Sequence, residues 1–297
     1  MKATILLLLC VALAHARVNL KYDSKTDEHN NMDWYENGVF YQIYPRSFKD
    51  SNGDGFGDLK GIKESLSHLK DLGVTGAWLS PMFKSPMVDG GYDIADFTEV
   101  NPLFGTNEDL MDVFATAKAL GLKIILDFVP NHTSDQHEWF KKSALNDTEY
   151  SDFYVWNNGK VNPDGVDLPR LPPNNWQAVF NTPAWTWHAG RGQFYLHQFA
   201  KQQPDLNYRN PKVQEAMRKV LLFWLDRGVD GFRIDAINHS VEDASLRDEE
   251  LDDKNGPLAW SNMIHIYTKD LQESYDIIYD WRKLLDQYSE DKKQPTK

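Results

Sequence analysis

The sequence predicts an α/β fold, namely the N-terminal half of a (β/α)8 TIM barrel with a subdomain B inserted after strand 3. First, short apolar strand-like runs alternate with helical repeats, which is typical of a parallel sheet covered by helices. Second, four such βα units are present, half the number in a closed barrel. Third, an irregular stretch at 133–208 follows the third strand, and its length indicates a small subdomain rather than an open loop.

The first two βα units occupy residues 39–121. Residues 39–44 are predicted to form a strand, and residues 74–79 a second strand that ends before Pro81. Thr106 is the predicted N-cap of the second helix, and Gly121 follows its end. The first helix is predicted from apolar residues at helical spacing, which Gly73 terminates: Leu59, Ile62, Leu66, Leu69 and Leu72.

The third and fourth strands are predicted at 123–129 and 229–235. The third is apolar on both faces, as a buried parallel strand should be. The helix between them is predicted to start at Asn210-Pro211 and to end at Gly228, and a last helix is predicted around Trp281. After residue 32, the chain is predicted to comprise barrel units 1–3 at 33–132, subdomain B at 133–208, and barrel unit 4 with the start of a further part at 209–297.

The N-terminus resembles a secretory signal. Lys2 gives a short positive region, an apolar run follows, and Ala14-His15-Ala16 suits cleavage, so 1–16 is predicted to be a signal peptide. Residues 17–32 are polar and predicted to be flexible. The apolar run is too short for a membrane span, and no later segment is apolar enough for one. The only cysteine, Cys10, lies inside the signal, so a secreted form would hold no disulfide.

Composition narrows the class of ligand. The 297 residues carry a net charge of −12, which disfavours a nucleic-acid binder because such proteins present basic surfaces. Aromatic residues make up 13% of the chain. That content suits a protein that stacks rings on sugars, but a core rich in aromatic residues would explain it equally well.

Polar side chains follow the predicted third and fourth strands, at the edge where barrel enzymes place their active sites. Asp127 and His132 lie at the end of the third strand, and the fourth ends in Arg233-Ile234-Asp235. Side chains two residues apart on a strand point the same way, so Arg233 is expected to keep Asp235 ionised, as a nucleophile requires. A salt bridge with a purely structural role remains an equal alternative.

Residues 50–58 form an oxygen-rich loop, Asp-Ser-Asn-Gly-Asp-Gly-Phe-Gly-Asp. Its alternating donors suit Ca²⁺, although Gly61 stands where an EF-hand carries its glutamate and a strand, not a helix, precedes the loop. The alternative is a turn rich in Asp and Gly. The predicted calcium ligands are Asp50, Asn52, Asp54, the Phe56 carbonyl and Asp58.

Several motifs in order resemble the α-amylase family, glycoside hydrolase family 13, and within it the α-glucosidase (maltase) branch of insect type. They are the segment from Tyr41 to Ile62, DFVPNH ending at His132, QPDLN at 203–207, and GFRIDAI, which contains Asp235. The resemblance implies a (β/α)8 barrel with a subdomain B, and retaining hydrolysis of α-glucosides such as maltose or sucrose. In that reaction one carboxylate attacks the sugar and a second, about 5–5.5 Å away, protonates the leaving oxygen. A structural Ca²⁺ in the 50–58 loop is also implied.

The resemblance assigns a role to each residue of the site. Asp235 matches the nucleophile, and a small residue at Ala236 resembles enzymes that prefer α-1,4 bonds. The substrate-binding residues it implies are Asp89, which clamps terminal hydroxyls, Tyr92, a platform under the sugar, His132, which bonds glucose, Arg233, and Asp127, a supporting carboxylate. Phe180, Phe199 and Trp176 of the insertion either line the pocket or simply pack.

Asn146 begins a glycosylation sequon, Asn-Asp-Thr, in a polar segment. Two further sequons, at Asn131 and Asn238, lie beside the predicted active site, where a glycan would block substrate, and we discount them.

The chain ends before the positions at which the family carries its general acid, a Glu after strand five, and its third carboxylate, an Asp after strand seven. General acid catalysis contributes about 10²–10⁴-fold, so the chain alone is expected to have little or no glucosidase activity. The alternative function is that of a non-catalytic, glucosidase-like surface protein or receptor that binds a sugar or a protein.

Overall fold

The computed structural model describes residues 33–163 and 170–292. Residues 33–37 are the described part of one compact unit, Met1–Asn37, in which the backbone N–H of Asp33 donates to the Glu36 carboxylate at 2.7 Å. All other described residues belong to a second unit, Gly38–Lys297. The predicted signal peptide at 1–16 and flexible segment at 17–32 lie outside the described residues.

The second unit is built on a four-stranded parallel sheet whose strands are adjacent in the order in which they occur along the chain. This confirms the predicted fold class, and each strand begins or ends within one or two residues of its predicted limits. The strands are β1 (Phe40–Ile43), β2 (Gly76–Leu79), β5 (Lys123–Phe128) and β11 (Gly231–Ile234).

Six α-helices occur in the described residues: α1 (Pro45–Phe48), α2 (Leu59–Asp71), α3 (Asn107–Leu120), α4 (Glu138–Ala144), α5 (Pro211–Leu225) and α6 (Gln272–Lys292). Thr106 and Asp109 form a capping box at the start of α3, and Gly121 ends it in the left-handed conformation with φ 72°. Asn210 caps α5, and Pro211 occupies the first turn. The predicted helix signals are therefore confirmed.

The core lies between this sheet and the helices that follow its strands. Leu59, Ile62, Leu66 and Leu69 on α2 are at most 1% exposed, and the residues of β5 that face the core are equally buried. Leu72, predicted on the same face, follows the end of the helix and is 53% exposed. The indole N–H of Trp224 on α5 donates to the carbonyl oxygen of Phe97 at 2.8 Å, which satisfies a buried polar group. The principal buried residues are Leu59, Ile62, Leu66, Leu110, Val113, Ile124, Leu126, Phe128, Val213 and Met217.

The stretch after β5 folds into small antiparallel pieces. β10 (Gln193–Leu196) pairs with both β6 (Trp156–Asn157) and β9 (Trp185–His188), and β7 (Lys160–Val161) pairs with β8 (Arg170–Leu171). Four residues of a separate apolar cluster are Trp176, Trp185, Phe194 and Leu196. The insertion therefore has a buried cluster of its own, while its residues Phe140, Phe153, Tyr154 and Tyr195 pack into the main core.

One hairpin was not predicted. β3 (Phe83–Lys84) pairs with β4 (Asp96–Val100) across an irregularity in register, and the loop between them carries Asp89 and Tyr92. Two 3₁₀ helices, Ile237–His239 and Trp260–Asn262, follow β11. Within the described residues, no helix combines the length and the hydrophobicity that a membrane crossing requires.

Candidate active site

Asp127 and Arg233 lie side by side at the carboxyl ends of two adjacent parallel strands. The register of β5 and β11 pairs Arg233 with Asp127 and Ile234 with Phe128. Asp235 follows directly, and its backbone N–H donates to the carbonyl oxygen of Phe128 at 2.8 Å. The chain therefore delivers the predicted nucleophile to the edge of the sheet where barrel enzymes act.

A single guanidinium serves both carboxylates. Nη1 of Arg233 donates to Oδ1 and Oδ2 of Asp127 at 3.1 and 3.3 Å, and also to Oδ1 of Asp235. The guanidinium lies 4.7 Å from the centre of the Trp78 ring, whose indole N–H donates to Asp127 Oδ2 at 3.0 Å. The Asp127 side chain is fully buried and that of Asp235 is 20% exposed, so Asp235 is the carboxylate that a substrate can reach.

Burial has a larger effect than Arg233 on the pKa of both carboxyl groups. Desolvation raises the pKa of Asp127 to about 7, although the Arg233 charge opposes it. Burial likewise raises the pKa of Asp235, again against Arg233, and the nearby Asp89 charge adds to the increase. Arg233 was predicted to keep Asp235 ionised; the two side chains are hydrogen-bonded, and the net pKa shift of Asp235 is upward because desolvation is the larger effect.

A second group of predicted residues joins this pair. The Tyr92 hydroxyl donates to Asp127 Oδ2 at 3.4 Å. Nε2 of His132 lies 3.3 Å from the carbonyl oxygen of Tyr92 and 3.0 Å from Nε2 of Gln203. The same amide nitrogen of Gln203 donates to Asp89 Oδ2 at 2.9 Å. The polar residues to which the resemblance assigns a sugar-binding role are thus linked, with Gln203, in one network.

The aromatic residues of the insertion divide into two kinds. The ring of Phe199 lies 5.2 Å from that of His132 and 5.3 Å from that of His239, so it adjoins the site. Phe180 is 54% exposed and lies 6.5 Å from Phe199, towards solvent. Trp176 is 1% exposed in the core of the insertion, where its indole N–H donates to a backbone carbonyl, and its role is packing.

Sequence reasoning did not identify a buried polar group behind the site. Asp205 is 2% exposed and accepts from the backbone N–H and side-chain amide of Gln198 at 3.1 and 2.7 Å. Gln198 also bonds His239, donating to its carbonyl oxygen at 2.7 Å and accepting from its Nδ1 at 2.9 Å. Asn131 donates to Asp205 on the other side at 3.3 Å. Asp205 therefore ties together the loops that follow β5 and β11.

The predicted metal loop folds around its own oxygens. Asp50 accepts backbone N–H bonds from Gly53 and Gly55 at 2.7 and 2.8 Å, and these donors hold its pKa below the ordinary value. Asp58 caps α2 by accepting from the Gly61 N–H at 2.7 Å. In the described part of the chain, no three His, Cys, Asp or Glu side chains come together as metal ligands would. The donors are of the chemical type that Ca²⁺ takes, so calcium binding in this loop stays a prediction.

The three glycosylation sequons differ in accessibility. Asn146 is exposed in a turn after α4, with φ 55°, whereas Asn131 is 1% exposed. Asn238 lies within the 3₁₀ helix after β11. The exposure of Asn146 is what an acceptor site needs.

The residue after Asp235 has a left-handed backbone. Ala236 has φ 50° and ψ 22°, a conformation that alanine rarely adopts, and the chain turns there into the 3₁₀ helix Ile237–His239. Strained non-glycine residues of this kind cluster at functional sites. The turn is what ends β11 at the point where the Asp235 side chain reaches the surface.

Comparisons with known proteins give one family. The chain is 55% identical over 269 residues to Maltase 1 of Drosophila virilis, an alignment that covers 90% of this chain and 42% of that protein. It is 43% identical over 267 residues to the amino acid transporter heavy chain SLC3A1 of Homo sapiens, covering 87% and 38% respectively. The structure of an alpha-glucosyl transfer enzyme, XgtA, matches with a TM-score of 0.79 and 44% identity, covering 86% of this chain and 48% of that one.

The chain thus spans less than half the length of these relatives. The model for the catalytic domain of alpha-amylases matches residues 42–294, most of the chain, and this agrees with the resemblance inferred from the motifs. The chain belongs to the alpha-amylase family, and residues 42–294 carry sequence of its catalytic domain.

Proposed function

We propose that the protein to which this chain belongs is a retaining α-glucosidase, which removes terminal α-1,4-linked glucose from maltose, sucrose or short oligosaccharides. The observation that carries the proposal is the position of Asp235, partly exposed at the end of β11 and hydrogen-bonded to Arg233. Family membership and the relatives named maltase and alpha-glucosyl transfer enzyme support it.

In the proposed reaction, an oxygen of Asp235 attacks the anomeric carbon of glucose as the bond to the leaving oxygen breaks. The product of this step is a glucosyl ester, which water then hydrolyses with overall retention. Arg233 offsets the charge of the attacking carboxylate and fixes its rotamer. Asp89 and His132 receive hydroxyl groups of the terminal sugar, and Tyr92 supports its ring. Protonation of the leaving oxygen falls to a second carboxyl group, as in the family.

A glycosyl fluoride tests the nucleophile by itself, because fluoride leaves without needing a proton. We expect 5-fluoro-α-D-glucosyl fluoride to esterify the chain at Asp235: the C1–F bond breaks, the carboxylate oxygen bonds to C1, and fluoride is released. Intact mass and peptide mapping measure the adduct. Asp235→Asn should remain unlabelled, while Asp112→Asn, an exposed position on α3, should label like the wild type. Labelling elsewhere, or equal labelling of Asp235→Asn, would refute the assignment.

A second candidate is binding without hydrolysis. This candidate is supported by the 43% identity to a relative named an amino acid transporter heavy chain. If the fluoride leaves Asp235 unmodified, yet methyl α-D-glucopyranoside protects the chain from thermal unfolding, the sugar-binding surface protein is the better description.

Calcium in the 50–58 loop is also a proposal, supported by its hard oxygen donors. The ligands would be the side chains of Asp50, Asn52, Asp54 and Asp58 and the Phe56 carbonyl. We expect Ca²⁺ at about 100 times its Kd to stabilise the fold by about 2.7 kcal/mol, seen as a rise in Tm that EGTA reverses.

Asp54→Asn should lose most of the response to Ca²⁺, because a charged ligand is removed. Asp71→Asn, at the exposed end of α2, should keep it. An identical Tm in Ca²⁺ and EGTA would show that the loop is only a turn.

Secretion is proposed from the signal-like residues 1–16, and N-glycosylation from the exposed Asn146. N-terminal sequencing of protein secreted from insect cells should begin at Arg17. Treatment with peptide N-glycosidase should reduce the mass of the wild type and leave Asn146→Gln unchanged.

A further inference from the structure

Gln203 joins two loops of the candidate site. Its side chain is fully buried, and Nε2 lies 2.9 Å from Asp89 Oδ2 and 3.0 Å from His132 Nε2. Asp89 comes from the loop between β3 and β4, whereas His132 follows β5. Neither loop is adjacent to Gln203 in sequence, so the amide is a tertiary bridge between them.

The orientation of the amide is fixed by the backbone. The N–H of Ala200 donates to Gln203 Oε1 at 3.0 Å, and the N–H of Gln203 donates to the carbonyl oxygen of Ala200 at 2.8 Å. Since Oε1 is the acceptor for Ala200, Nε2 must face the site. An amide nitrogen only donates, so its two hydrogens are directed at Asp89 and at His132.

His132 has an amide nitrogen beside each of its ring nitrogens. Nε2 lies 3.0 Å from Gln203 Nε2 and 3.3 Å from the Tyr92 carbonyl oxygen, and Nδ1 lies 3.2 Å from Asn131 Nδ2. Burial lowers the pKa of His132 to about 4, so the ring is neutral at pH 7. A neutral imidazole accepts at only one nitrogen, so Gln203 and Asn131 compete for its lone pair, and Gln203 favours the tautomer with the proton on Nδ1.

The bridge also orients the carboxylate. Oδ2 of Asp89 is held by Gln203, and among the described residues Oδ1 accepts no hydrogen bond. Asp89 is only partly buried, so this second oxygen can accept from a ligand hydroxyl. Fixing the rotamer of a carboxylate before binding removes an entropic penalty from the complex.

We propose that Gln203 is a positioning residue of the sugar site, whose amide hydrogens hold Asp89 and His132 in the orientation that receives terminal glucose. The inference rests on the proposed function. It distinguishes Gln203 from a buried glutamine that merely fills space, because a space-filling residue could be replaced by methionine without changing which sugar hydroxyl is recognised.

The first experiment measures recognition of one hydroxyl. The 297-residue chain is titrated with methyl α-D-glucopyranoside and with its 4-deoxy analogue, and the ratio of the two Kd values is compared among variants. Loss of a hydrogen bond to a charged group weakens binding by about tenfold or more. We expect the wild type to prefer the glucoside by that factor, and Gln203→Met and Gln203→Glu to lose the preference.

The two Gln203 variants remove the amide donor in different ways. Glutamate keeps the length of the side chain but brings an acceptor to Asp89, whereas methionine keeps the volume without any donor. Gln214→Met is the matched control, because its amide donates at 2.6 Å to the carbonyl oxygen of Tyr208 at the start of α5. It should keep the wild-type preference.

The second experiment does not need a sugar. Nitrogen-15 spectra of the ring of His132, assigned by the loss of its signals in His132→Asn, report which nitrogen carries the proton. The wild type should hold a larger fraction of the Nδ1–H form than Gln203→Met does. In that variant the ring should shift towards Nε2–H, since Asn131 then faces Nδ1 without a competing donor and the Tyr92 carbonyl remains beside Nε2.

The outcomes separate the two hypotheses. If the wild type binds neither sugar, the proposed function fails, and the nitrogen spectrum alone decides whether Gln203 sets the His132 ring. If the wild type shows the preference and both Gln203 variants retain it, the positioning role is overturned. It is equally overturned if the variants lose affinity for both sugars in the same proportion while the tautomer of His132 is unchanged.

Discussion

Replacing Arg233 with methionine is expected to destabilise the fold by about 3 kcal/mol at neutral pH. The guanidinium is the shared partner of Asp127, which is fully buried, and Asp235, which is 20% exposed. Without it, two neighbouring carboxylates lose their cation, and leaving a buried charge uncompensated is more damaging than losing a surface pair. Urea unfolding followed by tryptophan fluorescence measures the difference in free energy.

The penalty should shrink as the pH falls towards 5, because Asp127, whose pKa burial raises to about 7 even beside Arg233, then binds a proton and no longer needs a cation. Arg233→Lys should be intermediate, since it keeps the charge without the planar fork. Arg218→Met is the matched control; its partner Asp280 is 47% exposed, and the loss should stay below about 1 kcal/mol. A loss for Arg233→Met as small as that of the control would mean that the pair is not desolvated.

The stability of Asp205→Asn relative to the wild type is expected to rise with pH. Burial raises the pKa of Asp205 to about 8, against hydrogen bonds from Gln198 and Asn131. Between about pH 4 and 8 the folded state therefore holds a proton that the unfolded state releases, and wild-type stability falls as the pH increases. Asparagine removes this dependence, so the difference in unfolding free energy should grow by up to about 1.4 kcal/mol per pH unit.

Denaturant melts of both proteins at pH 5, 6, 7 and 8 measure that slope. Asp243→Asn serves as a control with the opposite sign. The Arg247 side chain lowers the pKa of Asp243 to about 2, so its contribution is already complete above about pH 4. The effect of Asp243→Asn should therefore not change between pH 5 and 8. A flat profile for Asp205→Asn as well would show that Asp205 is ionised in the folded protein.

The order of strands and helices could be predicted because each barrel unit carries its own caps and apolar patterns. Thr106 and Gly121 mark the ends of α3, and the apolar run of β5 is typical of a buried strand. The hairpin of β3 and β4 was missed, since β3 is two residues long and the register shifts beside it. Two residues give no measurable periodicity.

The site residues Asp127, Arg233 and Asp235 could be predicted because they lie at the carboxyl ends of strands. Gln203 and Asp205 were seen only as part of a motif, because their partners lie far away in sequence. The Gln203 amide meets Asp89 across 114 residues and His132 across 71. The direction of the pKa shift of Asp235 could not be predicted either, because desolvation depends on tertiary packing rather than on residues adjacent in sequence.

The backbone at Ala236 limits how the pocket can evolve. A side chain branched at Cβ is a genuine outlier at positive φ, so a valine introduced there would strain the turn as well as narrow the space beside Asp235. Glycine would relieve that strain without filling the space. Any change of linkage preference obtained by substitution at this position would therefore combine a steric effect with a tilt of the nucleophile itself.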